Sequence, residues 1–149
     1  MFKRFTGEDW KDIHYTVSDV ETLRKRAERL LGILKQVSEQ PHPQENWGLV
    51  FHLNGDSALV DSPYGAARVR TEYSIGAQGN QATMWVEKKR LDGYDQAHWD
   101  RVWQIVLTAH ETFPGNVEEG PVQLNSFAGL KMYDELCISI LCAIGRGAE

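Results

Sequence analysis

The sequence predicts an α+β fold in which one helix precedes a four-stranded antiparallel β-meander and two helices follow it. Three observations support this prediction. An apolar stripe with helical spacing covers residues 18–37, apolar and polar residues alternate in runs between 47 and 89, and two more helical stripes follow. Because the strands follow one another without intervening helices, the sheet should be antiparallel. We expect the helices to pack mainly on one sheet face, which leaves the other face open to water or to a partner.

Length and composition agree with a single globular domain over residues 1–149. Of the 149 residues, 42% are hydrophobic and 25% are charged, which is enough to bury a core without disulfides or metal and excludes global disorder. The net charge of −5 provides no overall attraction to nucleic-acid phosphates. No apolar run approaches the roughly 20 residues of a membrane span, and the first residues lack the apolar stretch of a secretory signal. The sequence therefore predicts a cytoplasmic protein that does not enter a membrane.

The first helix is predicted from Ser18 to Val37. Ser18 and Glu21 have the spacing of a capping box, in which each side chain bonds the other residue's amide. Residues 1–17 fit both helical and strand spacing, and their β-branched ending favours a short strand or an extended arm. The outer face of the helix carries a basic cluster that we expect to be solvated, with a phosphate-binding stripe as the alternative. The cluster consists of Arg24, Lys25, Arg26 and Arg29.

The first two strands are predicted to join at Asn54–Gly55, because this pair favours a type I′ hairpin turn. With a two-residue turn at that position, Phe51 faces Ala58. The second and third strands are joined by a turn at residues 62–65, which includes a Pro and a Gly.

The facing of the fourth strand depends on one residue of register in the 67–89 hairpin. A five-residue loop places Trp85 on the inner face beside Thr71. A four-residue loop places Ala82, Met84 and Val86 inside and turns Trp85 outward. We favour the outward Trp85 because the inward row of Ala82, Met84 and Val86 avoids burying Glu87. The alternative is that Trp85 packs inward or is covered by residues 1–17 or 114–129.

Two helices are predicted after the strands. The second helix covers Asp95–Phe113, where Trp and Val residues recur at helical spacing. The third covers residues 133–144 and ends at Gly145 as its cap, although a strand over 136–141 is the alternative. Cys137 and Cys142 lie in this last segment and are expected to be two buried free thiols in a reducing compartment.

The sequence carries no motif that identifies an enzyme. Phosphate-binding and dinucleotide-binding glycine motifs, a nucleophile elbow, zinc-protease spacing and calcium-loop spacing are all missing, so we predict no metal and no cofactor. His110 is a weak catalytic candidate on the apolar stripe of the predicted second helix. Glu111 cannot orient its ring easily, since adjacent helical residues point roughly 100° apart. A packing role for His110 is therefore the favoured interpretation.

The outer row of the predicted sheet is the favoured binding surface. Its candidate binding residues are His52, Arg68, Arg70, Glu72 and Trp85. An exposed Trp beside Arg is typical of protein-binding hot spots. We therefore predict a non-catalytic protein-binding module with an inhibitor, immunity, adaptor or chaperone-like role. Its acidic charge would steer a basic partner.

Two other functions remain open. One is a small enzyme or ligand-binding protein with a pocket between sheet and helices near His110, Tyr73 and Trp103. The other is nucleic-acid binding through Arg68, Arg70 and Trp85, which the net charge disfavours. A homodimer that forms through an uncovered sheet face or edge is a further expectation.

Overall fold

The fold is α+β, with one six-stranded antiparallel sheet and two helices in the part of the chain that the structure describes. This computed structural model describes residues 9–41, 47–76, 79–122 and 129–148. The elements are α1 (Asp9–Ser38), β1 (Val50–Asn54), β2 (Ser57–Ser62), β3 (Gly65–Gly76), β4 (Gly79–Leu91), β5 (Ala97–Leu107), β6 (Thr112–Pro114), a 3₁₀ turn (Val117–Glu119) and α2 (Gly129–Arg146). The strands lie in sequence order from β1 to β6. The α+β class and the antiparallel meander are confirmed, whereas the prediction of four strands and three helices is wrong.

The first helix begins earlier than predicted. Residues 9–17 are helical, so they form neither a strand nor an extended arm, and Ser18 lies within the helix rather than at its N-cap. Residues 1–8 lie outside the described part. Extending an existing helix costs less than starting a new one, so helical spacing upstream of Ser18 outweighs the local capping signal. None of the helices in the described ranges is long and apolar enough to cross a membrane.

The hydrophobic core joins one stripe of each helix to alternating positions of the sheet. The α1 stripe consists of Leu23, Ala27, Leu30, Leu31 and Leu34, and the α2 stripe of Leu136, Cys137, Ile140 and Ile144. The strands contribute Phe51, Ala58, Val60, Val69, Ala82, Met84, Val86, Ile105 and Leu107 among others. Burying these side chains supplies the main favourable free energy of folding.

The β1–β2 turn lies one residue later than predicted. Asn54 pairs with Ser57, so Gly55 and Asp56 form the turn, and Phe51 pairs with Val60 rather than with Ala58. Gly55 has φ +63°, which glycine adopts without strain. Phe51 and Val60 remain on the buried face, since the register change is an even number of residues and keeps the same row inside.

The β3–β4 register is the predicted one. Tyr73 pairs with Ala82 and Thr71 pairs with Met84, which places Trp85 on the face opposite the core. The expectation that this register avoids burying Glu87 is wrong, because Glu87 shares that opposite face with Trp85 and is buried there.

The predicted second helix is wrong, because its residues form β5 and β6. The Asp92 carboxylate accepts hydrogen bonds from the amides of Tyr94 (2.8 Å) and Gln96 (3.0 Å), and this turn sends β5 back along β4. Trp103 pairs with Val86 and Arg101 with Glu87, which leaves an extra residue in a β-bulge. A bulge interrupts the alternation of a strand. The apolar residues therefore recur at three- and four-residue spacing and imitate a helix.

The last helix is present, and the strand alternative for residues 136–141 is wrong. It ends at Gly147 rather than at Gly145. The Gly147 amide donates to the carbonyl of Ala143 at 3.0 Å, and its φ of +73° is the left-handed conformation of a C-cap. The thiols differ from the prediction of two buried groups, because Cys137 is buried and Cys142 is exposed.

Candidate binding face

Cross-strand rows on the face opposite the core bring most of the predicted binding residues together. One row runs across the sheet through His52, Leu59, Arg68, Glu87 and Arg101. The next rows pair Arg70 with Trp85 and Glu72 with Thr83. We call the central part of this surface the Arg–Trp face; it consists of Arg68, Arg70, Glu72, Trp85, Glu87, Trp99 and Arg101.

Glu87 is the buried centre of the Arg–Trp face. Its side chain is 3% exposed. Arg68 Nε donates to its Oε1 atom at 2.8 Å, and Arg70 Nε and Nη2 donate to its two carboxylate oxygens at 3.3 Å each. Arg101 Nε lies 3.5 Å from Oε2. Burial by itself would raise the pKa of Glu87, but the hydrogen bonds and charges of Arg68 and Arg70 outweigh it, so the pKa is lowered.

Glu72 is the second acidic anchor of the face. Its Oε2 atom accepts a hydrogen bond from Trp85 Nε1 at 3.1 Å. Its Oε1 atom accepts one from Arg101 Nη2 at 2.9 Å and lies 3.3 Å from Arg70 Nη2. The indole and two guanidinium groups are thus held by one carboxylate, which fixes the orientation of Trp85.

Two arginines lie over the rings of the two tryptophans. The Arg101 guanidinium carbon lies 4.1 Å from the centroid of the Trp85 ring, and that of Arg68 lies 4.2 Å from Trp99. Cation–π contacts of this kind contribute about 0.5–1 kcal/mol each at exposed sites. Both tryptophans are half-buried. The side chains of the Arg–Trp face are therefore held together by two kinds of non-covalent contact, ion pairs and cation–π stacking.

Sequence reasoning identified part of this cluster and missed the rest. Arg68, Arg70, Glu72 and Trp85 lie together as predicted. Trp99 and Arg101 were assigned to a helix and so could not be placed beside them; their alternation in the sequence was the available signal. His52 lies on the same face but outside the cluster, where its Nε2 atom is 2.8 Å from Asp61 Oδ2.

The residues of the second predicted site do not converge. His110 is exposed in the turn between β5 and β6, where Thr108 and Glu111 bond each other. Tyr73 lies on β3, in the cross-strand row that runs through Ala82 to Leu107, and it donates to an Asp56 carboxylate oxygen. Trp103 pairs with Val86, four positions along β4 from the partner of Tyr73. Among the described residues, no three His, Cys, Asp or Glu side chains are grouped so that they could hold a metal ion.

The basic cluster on α1 is partly used inside the molecule. Arg26 donates to the carbonyl of Thr108 and to Thr112 Oγ1, the latter at 3.1 Å, so it ties α1 to the β5–β6 turn. Arg24 donates to Glu21 at 3.1 Å and lies 5.7 Å from the Tyr73 ring centroid. These contacts do not leave a continuous phosphate-binding stripe.

The sequence matches no protein-family model. Comparison with curated proteins and with solved structures finds no match either.

Proposed function

We propose that this protein is a non-catalytic protein-binding module, with an inhibitor, immunity, adaptor or chaperone-like role, that docks its partner on the Arg–Trp face. The observation that supports this most strongly is that Glu72 and Glu87 hold three arginines and Trp85 together on the sheet face opposite the core, with Arg68 stacked on Trp99. We further propose that both helices cover the core face, as the composition of the buried cluster indicates. The Arg–Trp face then remains accessible to a partner.

Preorganisation makes this face suited to docking. Arg and Trp side chains lose rotamer freedom when a partner immobilises them, at about 0.5–1.5 kcal/mol for each flexible side chain. The ion pairs and stacking contacts have already removed much of that freedom. Arg and Trp are also the residue types most enriched among those that dominate binding energy.

The surroundings of the cluster favour a protein over a nucleic acid. Arg68, Arg70 and Arg101 all contact carboxylates, so their charge is largely neutralised before any phosphate approaches. The rings of Trp85 and Trp99 are covered by guanidinium groups, which a stacking base would have to displace. Leu59, the cross-strand neighbour of Arg68, is 58% exposed and adds an apolar contact typical of protein interfaces.

The net charge of −5 supports a basic partner. Long-range attraction accelerates the encounter of oppositely charged proteins, while the mixed charges of the Arg–Trp face would set the register of the docked complex.

The test is capture of partners from a lysate by the full-length protein and by two variants, each of which replaces one exposed apolar residue with Asp. Leu59→Asp places a charge beside the Arg–Trp face. Ile75→Asp places it at a position that is 76% exposed near the β3–β4 turn, away from that face. We expect a stoichiometric partner on the wild type and on Ile75→Asp, and its loss on Leu59→Asp. Absence of a partner on the wild type, or equal loss on both variants, contradicts the proposal.

Sedimentation velocity identifies whether the partner is a second copy. A dimer that Leu59→Asp dissociates and Ile75→Asp preserves makes the protein its own partner through this face. Retention of nucleic acid in place of protein by the wild type contradicts the proposal.

A further inference from the structure

The edge of β5 is longer than the strand that covers it. β5 spans Ala97–Leu107, but β6 pairs only with its last three residues. The final hydrogen bond runs from the Gly115 amide to the carbonyl of Gln104 at 2.8 Å. The chain then turns away at Gly115, whose φ is +77°. Within the described ranges, residues 97–103 therefore have a neighbouring strand only on the β4 side, and such an edge can pair with another chain.

A groove lies beside this free edge, between β5 and α2. Its cavity is about 510 Å³ and is lined by Arg101, Trp103, Ile138, Cys142 and Arg146 among others. Ile138 is 42% exposed, so the groove offers an apolar contact. Among the residues that the structure describes, two arginines and no acidic side chain line it.

The other side of Trp103 has the opposite charge. A second cavity of about 340 Å³ is lined by Trp103 together with Glu119 and Glu135. The cationic groove therefore lies beside the free part of β5, and the acidic cavity lies beside β6. An acidic segment is favoured beside residues 97–103 and disfavoured beyond Trp103.

We propose that the free edge of β5 binds an extended acidic peptide segment of a partner protein by strand addition. The peptide main chain pairs with residues 97–103, an apolar side chain contacts Trp103 and Ile138, and a carboxylate pairs with Arg146. Strand addition of this type takes its affinity from main-chain hydrogen bonds and its specificity from pockets for alternate side chains. The site adjoins the Arg–Trp face, with which it shares Trp99 and Arg101, but it uses the strand edge and the α2 side of β5, so the proposal does not depend on the proposed function.

The positive charge of the groove favours an acidic peptide as its occupant. Arg101 already contacts Glu72 and Glu87, whereas Arg146 forms no ion pair with any residue in the described ranges. A carboxylate on an incoming chain would supply that missing partner. A second copy that paired β5 with β5 would bring the same cationic groove against itself, which disfavours a dimer at this edge.

The test uses three seven-residue peptides and the isotope-labelled full-length protein. The first peptide has Thr at every second position and alternates Val and Glu at the positions between, so that Val and Glu face the same groove. The second peptide replaces each Glu with Lys, and the third is the Glu peptide with N-methylated amides that block strand pairing. We expect the Glu peptide to shift the backbone resonances of residues 97–103 and to bind roughly tenfold more tightly than either control. Equal binding by the Lys or N-methylated peptide overturns the proposal, as does an absence of shifts at about 1 mM peptide.

Two variants separate this site from the Arg–Trp face. Arg146→Gln removes the free cation without adding a charge to the end of α2, and we expect it to weaken the Glu peptide roughly fivefold. Leu59→Asp should leave the peptide affinity unchanged, whatever it does to binding at the Arg–Trp face. The bound peptide should also protect Cys142 from alkylation. An unchanged affinity in Arg146→Gln, or concentration-dependent dimerisation through β5, overturns the proposal.

Discussion

Glu87 accepts a hydrogen bond from Arg68 Nε at 2.8 Å while only 3% of the Glu87 side chain is exposed to solvent. This carboxylate lies on the face opposite the core, so the guanidinium groups above it exclude the solvent. Arg70 and Arg101 complete that cover. The Arg–Trp face therefore resembles a small polar core, and its side chains depend on one another for their positions.

Glu87→Gln should destabilise the protein by about 2 kcal/mol, because three arginines lose the charge that they surround. The measurement is urea unfolding at neutral pH. Glu72→Gln is the matched control: its side chain is 44% exposed, and the loss should stay below about 1 kcal/mol since solvent screens its pairs. Equal losses in the two variants would show that the burial of Glu87 has no energetic consequence.

The stabilising effect of Glu87 should also disappear in acid. Burial raises its pKa and the arginines lower it by more, so the pKa in the folded state lies below that in the unfolded state. Such a group stabilises the fold fully above its unfolded pKa of about 4.3, and the effect is lost as the pH falls through the folded pKa. The difference in unfolding free energy between wild type and Glu87→Gln should therefore shrink as the pH is lowered below about 4.3. A difference that is independent of pH would contradict this account.

The sequence predicted the parts of the fold that local periodicity determines. The apolar stripe of α1, the alternating rows of β3 and β4 and the helix over residues 133–144 are present in the structure. The prediction of a helix over Asp95–Phe113 was wrong. The β-bulge between β4 and β5 is set by pairing across strands, and this pairing cannot be seen in a single sequence. The prediction that the first helix begins at Ser18 was wrong, because capping patterns also occur inside helices.

The candidate site was half predictable for the same reason. Arg68, Arg70 and Glu72 share one strand, and their side chains point to one face by the period of two. The burial of Glu87 requires Arg101, and Arg101 reaches it only because β5 is a strand. Glu87 is thus buried at the centre of the Arg–Trp face partly because of Arg101, which lies on a different strand.

Gly48→Ala should cost roughly 2 kcal/mol, because Gly48 has φ +65° and an added Cβ would lie 2.9 Å from the Pro63 ring. The proline ring is stiff, so the clash cannot be relieved by rotating a side chain. Thermal unfolding of Gly48→Ala and Gly93→Ala provides the comparison. Gly93 has open space around it and no positive φ, so its variant should unfold close to the wild-type temperature. Similar losses in both variants would argue against this geometry.

Native protein should be alkylated at Cys142 and spared at Cys137. Burial, with a smaller effect from Asp134, raises the pKa of Cys137 to about 12, so the reactive thiolate is scarcely populated. Cys142 is exposed. Mass spectrometry after iodoacetamide treatment should show one adduct in native conditions, two in denaturant and none on native Cys142→Ser. Rapid modification of Cys137 in the native protein would show that the α1–α2 contact opens readily.

Arg26→Ala should detach the β5–β6 turn from α1 and destabilise the fold by about 1–3 kcal/mol. Arg26 donates to the carbonyl of Thr108, to the carbonyl of Glu111 at 3.3 Å and to Thr112 Oγ1 at 3.1 Å, and Thr112 is itself buried. Amide hydrogen exchange should therefore accelerate at residues 108–112 beyond the effect of global destabilisation.

Arg29→Ala is the control for this variant, because Arg29 belongs to the same basic cluster and is exposed. It should leave exchange at residues 108–112 and the unfolding free energy nearly unchanged. Arg26→Lys should recover only part of the loss, since an ammonium group lacks the planar fork that reaches several acceptors at once. If Arg26→Ala and Arg29→Ala behave alike, the α1 cluster acts only as a solvated basic surface, and the β5–β6 turn must be held by its own hydrogen bonds between Thr108 and Glu111.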